Sequence, residues 1–148
     1  MSFFRKAYSV VGVLLLVEYL AQIYFIAGAI MTIENADDNA KSVYSAFKNA
    51  DVFAGLHSIN GLLVISATTL VLIGLSFAAR HSWTNTGLTA LLFVLLLLQS
   101  VLAHIPISVL GALHGVNALV MIGLAGNLTA RNWAFRNQRL ESGPATTN

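Results

Sequence analysis

The sequence predicts an all-α integral membrane protein, a four-helix bundle made of two parallel-repeat helical hairpins. Three observations point there. The 148 residues are 57% hydrophobic and 9% charged, whereas a soluble domain carries about 25% charged residues. Four apolar runs come close to or exceed the roughly 20 residues that a bilayer-spanning helix requires. A heptad of the form Leu-His-x-(Ile or Val)-Asn-(Gly or Ala)-Leu occurs twice, at residues 56–62 and 113–119, each time opening a long apolar run. One transmembrane domain over residues 1–148 is therefore expected, with no room for a soluble one.

The first span is expected over residues 8–33, behind a head carrying Arg5 and Lys6. Its length, and the interruptions by Glu18 and Gln22, distinguish it from the apolar region of a signal peptide. Residues 34–51 are polar and read as a loop, with Glu34, Asp37, Asp38 and Asp51 against Lys41 and Lys48. The second span follows over residues 52–79, and a short polar turn holds Arg80, His81 and Trp83. Span three covers residues 88–105, where Pro106 breaks it. Span four covers residues 109–129, and a polar tail occupies residues 130–148.

Basic residues set the orientation. Arg5, Lys6, Arg80, Arg131, Arg136 and Arg139 fall in the head, second loop and tail, and only Lys41 and Lys48 lie on the other side. The positive-inside rule then puts both termini in the cytoplasm of what reads as a bacterial inner membrane protein. Trp83 and Trp133 fall where an interfacial aromatic belt is expected on the inner side. The basic residues form no block of the kind that binds nucleic acid. The absence of cysteine excludes disulfides, iron–sulfur clusters and thiolate zinc sites.

In an apolar helix His and Asn need a reason. With this orientation His57 and His114 lie at similar depth in the outer leaflet, each a short way into its span, and Gln22, Gln99 and His104 share that half. Leu20-Ala21-Gln22 resembles Leu97-Leu98-Gln99, so spans one–two and three–four read as hairpins related by an axis along the membrane normal. That symmetry brings the two imidazoles together from opposite sides, an arrangement suited to the axial ligation of one heme b. Gly55, Gly61, Gly111 and Gly115, with Ala54 and Ala118, would leave room for the porphyrin. Asn60 and Asn117 lie one turn deeper, placed to bond backbone, heme edge or water. The same residues also suit plain helix packing, since small residues let helices approach and His or Asn bond across them without a cofactor.

Outside the repeat, His104 has Ala27 as its counterpart. It could ligate iron, bond a propionate, or lie solvated at the interface. His81 reads as a surface residue. Glu18, the only ionisable residue deep in a span, could pass protons, contact a quinone head group or bond a partner helix.

Four helices with one His early in the second and one early in the fourth resemble one half of the heme A synthase family, in which two such bundles are fused. The resemblance covers residues 8–130 and rests on His57, His114, Leu98-Gln99 and Leu113-His114-Gly115. It implies a bis-His heme site, as in similar small membrane b-type cytochromes. The chain departs from the family by Ala54, where an acidic residue precedes the first ligand, and by lacking the outer cysteine pair. Heme A synthesis is therefore not implied.

Three functions are expected on these grounds. The first is electron transfer by an outer-leaflet heme, within or to a larger membrane complex, with quinone as a candidate partner. The second is a non-enzymatic accessory or scaffold subunit of such a complex, with structural heme or none. The third is a small carrier or channel, against which the nearly apolar inner half argues.

Overall fold

The computed structural model describes residues 3–38 and 42–135. Lys41, and the tail from residue 136 with Arg136 and Arg139, lie outside the described residues. Helix α1 covers Phe3–Asp38 and α2 covers Val43–Ile59. A short π-helical turn over Asn60–Val64 joins α2 directly to α3, Ile65–Ala78, so residues 43–78 form one rod. Then come α4 (Trp83–Ala103), a single turn α5 (Ser108–Gly111) and α6 (Leu113–Arg131). Four helical stretches, Phe3–Ala36, Tyr44–Ala78, Trp83–Ala103 and Val109–Arg131, are long and apolar enough to cross a membrane.

Residues 34–51, expected as a loop, are mostly helix. At 1.5 Å per residue the 36 residues of α1 reach about 54 Å, whereas the 21 of α4 reach only about 31 Å. The α1–α2 hairpin thus continues well past the other two helices. Small apolar residues form the inner side of this extension, where Ala36, Ala46 and Ala50 are all buried. Polarity alone does not reveal them. Ser42 caps α2, its hydroxyl accepting the Ser45 amide at 3.3 Å.

Around the bundle α1 neighbours the α2–α3 rod and α6, and α4 neighbours α3 and α6. The rod and α6 are therefore diagonal to one another. Tyr8, Leu15, Ile65, Leu72, Leu92, Leu96, Met121 and Leu128 fill the centre. Beyond the π turn α2 packs mainly against α1, and the bundle opens at that far end.

Close approach is tightest along α1. A Cβ built on Gly28 would lie 2.7 Å from the Phe53 ring, and one on Gly12 would lie 2.5 Å from the Thr129 hydroxyl. Neither contact leaves space for a methyl group. Gly28→Ala is expected to destabilise the bundle by about 1–3 kcal/mol, read as denaturant unfolding in mild detergent. An unchanged midpoint would show that α1 and α2 can separate at no cost.

The end where α1 begins and α6 ends is closed by polar contacts. Tyr8 and Thr89 share a hydroxyl–hydroxyl bond of 2.9 Å, the Ala134 amide donates to Ser9 at 2.9 Å, and Asn85 donates to the Asn132 side chain at 2.9 Å. In the α3–α4 turn Arg80 takes φ 53°, and the His81 amide reaches back to the Ser76 carbonyl. This is the left-handed helix ending for which glycine is more usual.

His81 is not the free surface residue that its polar neighbours suggest. It is half-buried, with its ring 4.5 Å from the Tyr8 ring. Burial, helped by the nearby Arg5 charge, holds its pKa below the ordinary histidine value. The fold therefore favours neutral His81. That stability is present above the unfolded pKa of about 6.5 and is lost as pH falls through the lowered folded value. The melting temperature in detergent is expected to drop between neutral and mildly acidic pH, and His81→Leu should remove that part of the drop.

Candidate functional site

The opening at the far end of the bundle is a cavity of about 550 Å³, well inside the range of about 300–1,000 Å³ typical of small-molecule and cofactor sites. Its walls come from α1, the α2–α3 rod with its π turn, α4 and α6. They are mainly apolar, with Ile23, Ile26, Leu62, Leu96, Leu119 and Ile122 among them. Of the residues singled out from sequence, His57, His114, Gly61, Gly115, Gln22, Gln99 and His104 all line it.

The two histidines face one another from diagonal helices, ring centres 6.3 Å apart and planes 51° apart. That separation suits a shared metal. A metal–imidazole bond is about 2.0 Å and the ring centre lies about 1.1 Å behind the nitrogen, so two imidazoles bound in line on opposite sides of one ion would have centres about 6.2 Å apart. Rotation about the nitrogen–metal–nitrogen line is free, which allows the 51° angle. His114 Nδ1 donates to the Gln99 carbonyl at 3.1 Å. This leaves its Nε2 as the lone-pair nitrogen, a pattern common to metal-bound histidines. His57 Nδ1 is buried without a hydrogen-bond partner among the described residues.

Each histidine is also tied to a glutamine on a neighbouring long helix, His57 to α1 and His114 to α4. Gln22 Nε2 donates to the His57 carbonyl at 2.9 Å, while the carbonyl of Gln99 receives His114. The asparagines do not line the cavity. Asn60 Nδ2 donates to the Glu18 carbonyl at 3.1 Å, and Asn117 Nδ2 donates to the Leu95 carbonyl at 2.9 Å and to Gln99 Oε1 at 2.6 Å. Glu18 precedes Gln22 by four residues, as Leu95 precedes Gln99. Of the roles open to the asparagines, the structure assigns bonding to neighbouring backbone. A buried interhelical bond of this kind contributes about 0.6 and at most about 1.7 kcal/mol.

The glycines are not equivalent. A Cβ at Gly61 would come within 3.0 Å of Gln22 Nε2, so its size protects the bond to His57. A Cβ at Gly115 would meet nothing within 4 Å, and its Cα forms open cavity wall. Gly55 is likewise uncrowded, and Gly111 has only the Ile105 carbonyl at 3.8 Å. His104 is exposed on the rim, its Nδ1 donating to the Ser100 carbonyl of its own helix at 2.7 Å.

Two contributors escape a sequence reading. The π turn starts three residues after His57, with the Ile65 amide reaching the Asn60 carbonyl. Such turns accumulate at functional sites because one extra residue rotates the helix beyond it. Gly61 inside a strong apolar run is the one signal of it in the sequence. Tyr19 lines the cavity and its hydroxyl is buried without a partner among the described residues. Beside the acidic Glu18, a tyrosine in an apolar span looks ordinary.

No group of three or more His, Cys, Asp or Glu is placed to hold a bare metal ion among the described residues. A cofactor that brings its own equatorial ligands needs only the two imidazoles. No family model, curated protein or solved structure matches the chain.

Proposed function

We propose that this chain is a membrane-embedded b-type heme protein in which His57 and His114 are the two axial ligands of one heme, and that its role is electron transfer within or to a larger membrane complex. The observation that carries this is the pair of imidazoles 6.3 Å apart across an apolar cavity. When bound, a bis-imidazole heme supplies one-electron transfer without an open coordination position. The chain's own residues then have defined tasks. Gln99 fixes the tautomer and direction of His114, Gln22 anchors the helix turn that presents His57, and Gly61 and Gly115 keep the walls clear.

The matched bonds of Asn60 to the Glu18 carbonyl and Asn117 to the Leu95 carbonyl support the reading of two hairpins repeated in parallel. On the positive-inside rule both termini are cytoplasmic and the cavity opens in the outer leaflet. A heme there reaches only part-way across the bilayer, so the partner, a quinone or another redox subunit, must meet it from that side.

The test is the reduced-minus-oxidised spectrum of the protein purified in mild detergent after expression with heme supplied. A low-spin b-type α-band and Soret shift are expected at one heme per chain. Their absence rejects the proposal. The accessory-subunit alternative is favoured by one observation, the α1–α2 extension with Tyr44 and Phe47 exposed on it. Normal assembly of a His57→Ala/His114→Ala variant with a stable large partner would select it.

A further inference from the structure

The two hairpins satisfy their histidines and glutamines differently. In the second, His114 Nδ1 donates to the Gln99 carbonyl, and Gln99 Oε1 accepts Asn117 Nδ2 at 2.6 Å. In the first, Asn60 Nδ2 donates to the Glu18 carbonyl instead. Gln22 Oε1, His57 Nδ1 and the Tyr19 hydroxyl are then all buried and without a hydrogen-bond partner among the described residues.

These three atoms belong to one patch of wall. All three residues line the same cavity. Tyr19 precedes Gln22 by three residues on α1, the spacing that sets two side chains one above the other on a helix face. Gln22 Nε2 already touches His57, donating to its carbonyl at 2.9 Å. A backbone carbonyl only accepts, so Nε2 must face it and Oε1 is the end of the amide left over. In the second hairpin the residue three before Gln99 is Leu96. It too is buried and lines the cavity, so packing at this position is met without a hydroxyl. The phenol is thus an addition to the one hairpin whose imidazole and amide lack partners.

We propose that Tyr19 is the positioning residue of His57: His57 Nδ1–H donates to the Tyr19 hydroxyl oxygen, and that hydroxyl donates to Gln22 Oε1. The existing bond from Gln22 Nε2 to the His57 carbonyl closes the ring. The other two bonds form by side-chain rotation within the wall. Donor counting permits one tautomer alone. Tyr19 has a single hydrogen to give, so with His57 Nδ1 as an acceptor either that nitrogen or Gln22 Oε1 would stay unpaired. An unpaired acceptor in a buried wall is costly. With the hydrogen on Nδ1 every atom is paired, and Nε2 keeps its lone pair for the cavity, as at His114. This deepens the heme reading, on which the ligand role of that lone pair rests; the ring itself is a property of the chain.

The experiment is nitrogen-15 NMR of the full chain, labelled at histidine, in mild detergent at about pH 8, where histidine is neutral. His57→Ala assigns the His57 signals among the four histidines. Wild type is expected to carry the His57 hydrogen on Nδ1. Finding it on Nε2 overturns the proposal, and that measurement needs no other variant to fold. Tyr19→Phe should move His57 to the opposite tautomer or to a mixture, and leave His114 unchanged because its Gln99 partner is untouched. An unmoved His57 tautomer in Tyr19→Phe overturns the proposal. After heme loading, Tyr19→Phe is expected to hold heme about 10–100-fold less tightly, the usual effect of removing a ligand's outer partner. Equal retention overturns the positioning role. A chain with the expected tautomers and no heme spectrum supports the ring and rejects the heme reading alone.

Discussion

Replacing both His57 and His114 by alanine is expected to reduce heme content at least tenfold and to abolish the low-spin b-type spectrum. Each single variant should leave a five-coordinate, high-spin iron with weakened retention. The protein itself should remain folded. His114→Ala removes one interhelical hydrogen bond, to Gln99, worth about 0.6–1.7 kcal/mol. The Gln22 bond to the His57 carbonyl is to backbone and survives His57→Ala. A stability loss of that size is separable from loss of a metal ligand. Pyridine hemochrome quantitation and the absorption spectrum read the first; unfolding in detergent reads the second. Unchanged heme content and spectrum in the double variant would mean that the cavity is not the heme site.

Filling the cavity should have nearly as large an effect on heme with the opposite sign on stability. Gly115→Leu introduces a side chain into space where a Cβ meets nothing within 4 Å, in the wall between the two imidazoles' helices. Heme content is expected to fall about tenfold, the equivalent of about 1.4 kcal/mol. Removing a helical glycine stabilises by about 0.5–1 kcal/mol, so the heme-free bundle should unfold no earlier than wild type. Gly74→Leu is the control: its Cβ also meets nothing within 4 Å, but Gly74 is exposed in α3 and does not line the cavity. Heme content should be unchanged there. Equal heme binding by Gly115→Leu and wild type would place the cofactor elsewhere or nowhere.

Gly61→Leu should behave differently from Gly115→Leu, although both glycines line one cavity. At Gly61 the new Cβ presses on Gln22 Nε2 at 3.0 Å, so the side chain that holds the His57 carbonyl must move. Gly61 lies four residues after its histidine and Gly115 one after its own, but that spacing does not say which of them is crowded. The difference comes from which neighbour the helix crossing brings near.

Sequence alone determined the residue types of the candidate site and their depth along the spans. The repeated His and Asn, the paired Gln22 and Gln99, and the four apolar runs are visible because a bilayer-length apolar stretch tolerates few polar residues. Tertiary structure decided what each polar group touches. The asparagines turned to neighbouring backbone, Glu18 to Thr68, and His81 to Tyr8. It also decided where the helices stop and where they bend. Ala36, Ala46 and Ala50 carry α1 and α2 past the membrane-length stretch, and the π turn re-aims the rod beyond His57. These features arise from the packing of one helix on another, and a linear pattern of polarity records the composition of a face without naming its partner.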